Sequence, residues 1–440
     1  MMADCFAMIR WTNKDFVHLH CHSEYSQFDG LSPVDNLVTK AREMGFPALA
    51  LTDHGTVGGL IQFVNACTAT KDQDGILIPY DTIKPLLGAE FYVARDHRYK
   101  SKDKQPDGAS GNRHLVLIAK NWSGYQNLCR LSQISWQDGF YMKPRIDMDL
   151  LSQHSEGLIA GSACLSSLIN ANLLHDRYDQ AKRTAEILKD IFGEDFFLEI
   201  MYHGIEEERV IIPDILRLGK ELDIPVACTN DAHYIEKDHA ISQEVFTCMS
   251  SGKCIHDPDR LSQPYGEFYL KSAEEMARIF GFSRKLLLNT VAIANKVDFE
   301  NIKENLFGGM RLPQFDIPEE FDSSEAYLRH LSYEGLKRLG WDNSQQHIDA
   351  LEKELGDIHV AFENNNYDFA TYFLIVWDYT NFAKKQGILC GPGRGSGYAS
   401  VILRCLGITY GADPCRYGLL WERFLGFAKI RHIQATDFFS

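Results

Sequence analysis

Phe16-Val17-His18-Leu19-His20-Cys21-His22-Ser23-Glu24-Tyr25-Ser26-Gln27-Phe28-Asp29-Gly30 begins as a short apolar run and ends as a polar loop. The segment Phe16 to Leu19 reads as a strand, and His20 and His22 stand two apart at its end. Period-two alternation sends both side chains to the same side. Asp29 follows in the loop. A strand that ends in metal-competent side chains is a pattern worth following along the chain, and the chain repeats it.

Further strand candidates are Ala48 to Leu51, Pro85 to Leu87, Leu115 to Ala119, Gly157 to Ala160, Phe196 to Met201 and Pro225 to Cys228. Amphipathic stretches separate them. Ser32 and Pro33 open one helix, with Val34, Leu37, Val38 and Ala41 on one face, and others run near Tyr125 to Ser135 and Asp179 to Ile191. This alternation from residue 16 to about 235 predicts an α/β fold of strand-helix units around a parallel sheet. So many short strands in one stretch favour a distorted (β/α)7-type barrel over an open sheet.

Chemistry gathers where the strands end. The second strand ends in Thr52-Asp53-His54-Gly55, the third in Gly88-Ala89-Glu90, the fifth in Gly161-Ser162-Ala163-Cys164 and the seventh in Thr229-Asn230-Asp231-Ala232-His233; His114 precedes or begins the fourth. In parallel barrels the C-terminal strand ends share one rim, so these sequence-distant residues would converge. Imidazole nitrogen, carboxylate oxygen and thiolate sulfur are all ligand atoms, and together they could hold two or three divalent cations, with zinc, manganese and iron equally admissible. Taken singly, a histidine is more often a hydrogen-bonded residue, and Cys164 alone would be a small buried apolar side chain. Repetition at successive strand ends is what favours the metal.

The 440 residues call for at least two domains. With 45% hydrophobic and 24% charged residues and no long apolar run, the chain reads as globular protein with no membrane partner. The N-terminus shows no secretion signal, and eleven scattered cysteines without a Cys-x-x-Cys pair suit reduced thiols, so a cytoplasmic location is expected. A net charge of −15 argues against broad attraction to nucleic acid, so any DNA contact must be local. One such place is the basic stretch Arg95, His97, Arg98, Lys100, Lys102 and Lys104, although a solvated surface loop is the favoured reading of it.

After Tyr234 the pattern becomes mainly helical to about Gly387. One helix is opened by a capping box at Ser272 and Glu275, another runs from Ser283 to Val297, and Gly308 to Ser323 reads as an extended linker. Near the C-terminus, Gly391-Pro392-Gly393-Arg394-Gly395-Ser396-Gly397 precedes an expected helix, Tyr398 to Leu406. Glycines let backbone amides approach an anion and a helix N-terminus adds a favourable dipole, so Arg394, Gly395 and Ser396 are candidates for a triphosphate cradle, against the plainer reading of a flexible turn.

The segments His18-Leu19-His20-Cys21-His22-Ser23, Leu51-Thr52-Asp53-His54-Gly55, Gly88-Ala89-Glu90 and Asp231-Ala232-His233 resemble the four motifs of the polymerase and histidinol phosphatase (PHP) domain. The longer phrase His22 to Gly30 is similar to the version found in DNA polymerase III alpha subunits. The resemblance implies one metal held by His20, His22, Glu90 and Asp231, a second by Asp29, His54 and His233, and a third by His114 and Cys164 with Glu90 bridging. It also implies removal of 3′ nucleotides from DNA by hydroxide that the clustered metals generate, with no separate protein base.

Tyr372-Phe373-Leu374-Ile375-Val376, Gly391 to Ser396, Leu406-Gly407-Ile408-Thr409 and Glu422-Arg423-Phe424-Leu425 resemble the start of the polymerase palm in the same family, which implies dNTP as a ligand and magnesium as the palm's cofactor. Beyond Leu425 that family presents an Asp-x-Asp pair, whereas here Asp437 has no acidic partner two residues away. Two-metal nucleotide addition by this chain alone is therefore not expected. The resulting division is 1–260 for the PHP metal-dependent phosphoesterase domain, 261–425 for a helical lead-in and partial polymerase palm, and 426–440 for a tail unlike the family, as in a truncated or split chain. Two other functions fit the same residues: an interaction module completed by a second chain that carries the missing carboxylates, and a phosphatase for small phosphomonoesters.

Overall fold

The computed structural model describes residues 11–71, 78, 82–100, 112–258, 260, 266–308, 313–365, 368–393 and 395–425. Arg394, Lys102, Lys104 and the tail 426–440 lie outside the described residues. The chain divides into two compact units, Met1–Leu306 and Phe307–Ser440.

In the first unit seven strands form one sheet: β1 (Ala48–Leu51), β2 (Lys84–Val93), β3 (Arg113–Ala119), β4 (Arg145–Ile146), β5 (Leu158–Gly161), β6 (Phe196–Ile200) and β7 (Val226–Cys228), in the order β1-β2-β3-β5-β6-β7, with β4 paired to β2. Nearly every strand residue is buried, which is why these segments read as continuous apolar runs rather than alternating ones. Helices Val34–Glu43, Trp122–Gln137 and Tyr178–Phe192 stand where amphipathic spacing predicted them.

The sheet is mixed, not parallel. β3 runs antiparallel to both β2 and β5, while the other pairings are parallel. The expected first strand is also different: Phe16 to Leu19 is extended but belongs to no regular strand. His18 bridges Leu49 on one side and Cys21 bridges Ala232 on the other. Backbone bonds from Ala50 N to His18 O, Thr52 N to Cys21 O, His22 N to Ala232 O and Ala232 N to His20 O tie this segment to both ends of the sheet. The sheet is thus a curled half-barrel whose open side is laced by a few backbone bonds. β2 also continues three residues past Glu90, so that residue lies within the strand instead of at its end.

Helices Ala273–Phe280, Arg284–Asn295 and Phe299–Leu306 pack into the first unit's core through Met276, Leu287 and Ile302. The compact division therefore falls between Leu306 and Phe307, later than the boundary expected near residue 260. The Ser272–Glu275 capping box forms as anticipated, with both reciprocal bonds present. The second unit packs Ser324–Leu339, Gln345–Asn365, Phe369–Lys385 and Val401–Cys405 around a core that includes Leu328, Leu336, Leu355, Phe373 and Ile402.

Candidate metal centre

His20 and His22 leave the lacing segment toward the sheet interior, fully buried, with ring centroids 5.2 Å apart. His54 follows β1, and its backbone bridges Glu90. Because β3 runs antiparallel, His114 near its start reaches the rim where the parallel strands end. Cys164 follows β5, and Asp231 and His233 follow β7. Asp231 and Ala163, just before Cys164, hold positive φ of 44° and 63°, conformations that turn the chain sharply at a modest cost.

The nine expected residues meet in one pocket. Glu90 is its hub, with His54 Nδ1 at 2.6 Å, His114 Nδ1 at 2.8 Å, His20 Nε2 at 3.5 Å, His22 Nε2 at 3.8 Å and Cys164 Sγ at 3.9 Å from its oxygens. Asp231 Oδ1 lies 3.0 Å from His22 Nε2, 3.3 Å from His20 Nε2 and 3.6 Å from His233 Nδ1. Asp29 Oδ2 lies 3.1 Å from His54 Nε2 and 3.5 Å from His233 Nε2. Cys164 Sγ stands 3.4 Å from His114 Nδ1.

Five sequestered atoms, His20 Nε2, His22 Nε2, His54 Nδ1, Glu90 Oε2 and Asp231 Oδ1, face one another without hydrogen-bonding geometry. Buried polar atoms are ordinarily satisfied, so five converging orphans fit a group that accepts lone pairs, which is what a cation does. Burial disfavours charge throughout the pocket, and mutual attraction overrides it at the carboxyls, His54 and His233 but not at His22 or Cys164. The carboxyls of Glu90, Asp231 and Asp29 are held well below the ordinary range by the surrounding imidazoles. Burial would lower His54 and His233, but the neighbouring carboxylates raise them to about 10 and about 9. Burial, with His54 and His233 beside it, pushes His22 down to about 3. Burial next to Glu90 and Asp231 raises the Cys164 thiol, so thiolate there would require a cation.

The outer nitrogens are also held. His20 Nδ1 donates to Glu199 Oε2 at 3.1 Å, and Glu199 further accepts from Thr229 Oγ1 and Ala163 N. His22 Nδ1 meets Ser26 Oγ at 2.9 Å, which donates to Asp53. His233 Nδ1 donates to Asp231 O at 2.7 Å. Such partners fix tautomer and ring orientation in metal sites. Sequence reading missed Glu199, Ser26 and Asp53 in this role, although a lone acid within the apolar run Phe196–Ile200 is a visible signal. Two close approaches build the frame. A Cβ on Gly161 would lie 2.4 Å from Glu199 Oε1, and one on Gly30 would lie 2.0 Å from Ser23 O, closing the loop that carries Asp29.

The described part of the basic stretch is partly neutralised, since Arg98 pairs with Asp96 and His97 with Asp147. In the second unit the glycine-rich loop is followed by a 3-10 turn, Gly395–Ala399, and the α-helix starts only at Val401. Gly395 and Ser396 are exposed. The expected dipole contribution is not offered there, because Glu354 accepts from Val401 N, Ile402 N and Ser400 Oγ, and Ser400 Oγ accepts from Leu403 N. The helix N-terminus is already capped by a carboxylate.

Residues 18–203 match the PHP domain, and residues 326–432 match the bacterial DNA polymerase III alpha NTPase domain. Fold, donor set and match together define a PHP-domain chain. The chain is 39% identical to the DNA polymerase III subunit alpha of Borreliella burgdorferi over 94% of its own length and 34% of the relative's. It is 40% identical to that of Treponema pallidum, again over 94% and 34%, and 37% identical to that of Helicobacter pylori over 95% and 34%. More narrowly, then, the chain belongs to the bacterial DNA polymerase III alpha subunit family, corresponding to its N-terminal part, and spans about a third of the length of the curated relatives it matches. A solved structure assigned as a metal-dependent phosphoesterase of Bifidobacterium adolescentis aligns over 49% of this chain and 87% of its own, at 15% identity and a TM-score of 0.30, too low to carry an argument. Among the described residues no helix is long and apolar enough to cross a membrane.

Proposed function

We propose that the first unit is a metal-dependent hydrolase of phosphodiester bonds, and that it removes nucleotides from the 3′ ends of DNA. The observation that carries this reading is the convergence of five unpartnered buried donor atoms in a pocket of mixed nitrogen, oxygen and sulfur chemistry. His20, His22, Glu90 and Asp231 would hold one cation, Asp29, His54 and His233 a second, and His114 and Cys164 with Glu90 a third. Zinc, manganese and iron all suit these donors. Such cations supply charge stabilisation at phosphorus and acidify a water, so no protein base is required. The chain's own part is to orient and exclude solvent: Glu199 fixes His20, and Ser26 with Asp53 fixes His22.

The match over residues 326–432 supports a second ligand, a nucleoside triphosphate at the exposed Gly395 and Ser396, with Arg394 beside them in sequence. Polymerisation itself, with magnesium on paired carboxylates, would belong to the longer protein or to a completing second chain.

The test of the hydrolytic reading is purified protein with manganese or zinc, offered single-stranded DNA labelled at either end. Shortening from the 3′ end, lost in Asp231→Ala, is expected. Binding of less than one metal equivalent with every DNA end intact would overturn it, and cleavage confined to a panel of small phosphomonoesters would replace the substrate class.

A further inference from the structure

Beside the cluster lies a groove of about 690 Å³ whose floor includes Asp29 and His54 and whose walls are aromatic. Most large apolar side chains of this unit are buried, yet Trp136, Phe140 and Met142 on one wall and Phe28 on the other are 51%, 43%, 72% and 47% exposed. Exposed aromatics gathered in a groove mark a binding surface. Trp136 and Phe140 stack on each other, with centroids 5.3 Å apart and planes within 16°. The wall is tied to the cluster's frame: Trp136 Nε1 donates to Gly55 O at 2.8 Å, next to His54, and β4, just beyond Lys143, pairs with β2, the strand that carries Glu90. Phe28 and Met142 face the groove from positive φ of 65° and 60°, a strain that ordinary loops avoid.

Lys143 supplies a cation on the same wall, 5.2 Å from the Tyr92 ring, and that ring lies 5.9 Å from His54. Flat ring faces, a cation and an adjoining set of metal-competent donors suit a chain of nucleobases and phosphates. They do not suit a duplex interior, whose bases already have both faces covered, nor an apolar helix, which would leave Lys143 and the polar floor of Asp29 and His54 unmatched.

We propose that this groove is a stacking platform for the terminal nucleobases of an unpaired nucleic-acid strand, with Trp136 and Phe140 as base-stacking residues and Lys143 on the backbone phosphate. The inference rests on the hydrolytic reading for the fate of the strand, but not for its binding. Stacking on an aromatic side chain contributes about 1–3 kcal/mol per base, whichever base is present. The platform therefore selects single-stranded ends without reading sequence.

The test compares binding, by fluorescence anisotropy, of two oligothymidylates of about eight nucleotides with phosphorothioate 3′ linkages, one complete and one abasic at its 3′ terminal positions. The intact protein should bind the complete strand about five- to a hundredfold more tightly. That ratio should fall toward unity in Phe140→Ala and return in Phe140→Tyr. The complete strand, but not the abasic one, should also quench tryptophan fluorescence in the unmodified protein, a readout that needs no variant. Equal affinity for the two strands, or a ratio unchanged in Phe140→Ala, overturns the platform. Hydrolysis of unprotected strands without any preference for a terminal base does the same while leaving the hydrolytic reading intact, whereas base-dependent binding without hydrolysis sustains the platform and removes that reading.

Discussion

Replacing Glu199 by glutamine probes whether the buried shell behind the cluster sets its affinity for metal. Glu199 is 1% exposed and spends its two oxygens on three donors: His20 Nδ1 at 3.1 Å, Thr229 Oγ1 at 2.8 Å and Ala163 N at 2.7 Å. Glutamine keeps the shape but replaces one acceptor with an amide that can only donate. Whichever way it turns, either Ala163 N–H or the pair from His20 and Thr229 meets a donor. The bond to His20 loses its charge as well, and hydrogen bonds to charged groups contribute about 1.5–3 kcal/mol. If His20 then tilts away from Glu90 and Asp231, metal affinity should fall about 10- to 100-fold, the range seen when such supporting partners are changed. Isothermal titration of the metal-free protein with manganese or zinc measures this directly, and circular dichroism checks that the fold survives. Unaltered affinity in a folded Glu199→Gln protein, alongside a large loss in Asp231→Ala, would refute the idea that Glu199 positions His20.

Gly161→Ala attacks the same support from the strand side, since its Cβ would lie 2.4 Å from Glu199 Oε1 and 2.6 Å from Phe197 Cζ. We expect a loss of about 1–3 kcal/mol in urea unfolding together with weakened metal binding, and a stable protein of normal affinity would contradict the packing described. In the second unit, burial raises Glu354 to about 7 despite the three donors it accepts. A raised folded value means that the folded state keeps a proton the unfolded chain has released. Its contribution is therefore complete below the unfolded value of about 4.5 and is lost as pH rises through about 7, by up to about 3 kcal/mol. Glu354→Gln should flatten that portion of the stability–pH curve, and an unchanged slope by chemical denaturation at several pH values would show that Glu354 is not its source.

Much of this was legible in the residues. Apolar runs located six of the seven strands, because strands covered on both faces must be apolar throughout, and the resemblance to the PHP motifs named the nine residues that stand together in the pocket. What failed to show was anything decided by pairing partners. The direction of β3 and the two-residue β4 depend on which neighbour each strand finds, a long-range matter that periodicity does not encode. Phe16 to Leu19 has strand composition but makes only isolated bridges, one to Leu49 and, just beyond it, one from Cys21 to Ala232. Likewise Glu354 lies far in sequence from the loop it caps, so the glycine-rich stretch alone suggested a free helix start where one is already occupied.

The reversed strand β3 also has a genetic consequence. Tyr92 stands opposite His114, and Glu90 opposite Val116, in the β2–β3 ladder. Because alternate residues face opposite sides, sliding β3 by a single position would turn His114 away from the pocket and offer Arg113 or Leu115 instead. Loss or gain of one codon within that strand should thus silence the pocket while sparing much of the sheet's apolar character, whereas two-codon changes would restore the facing and be tolerated better.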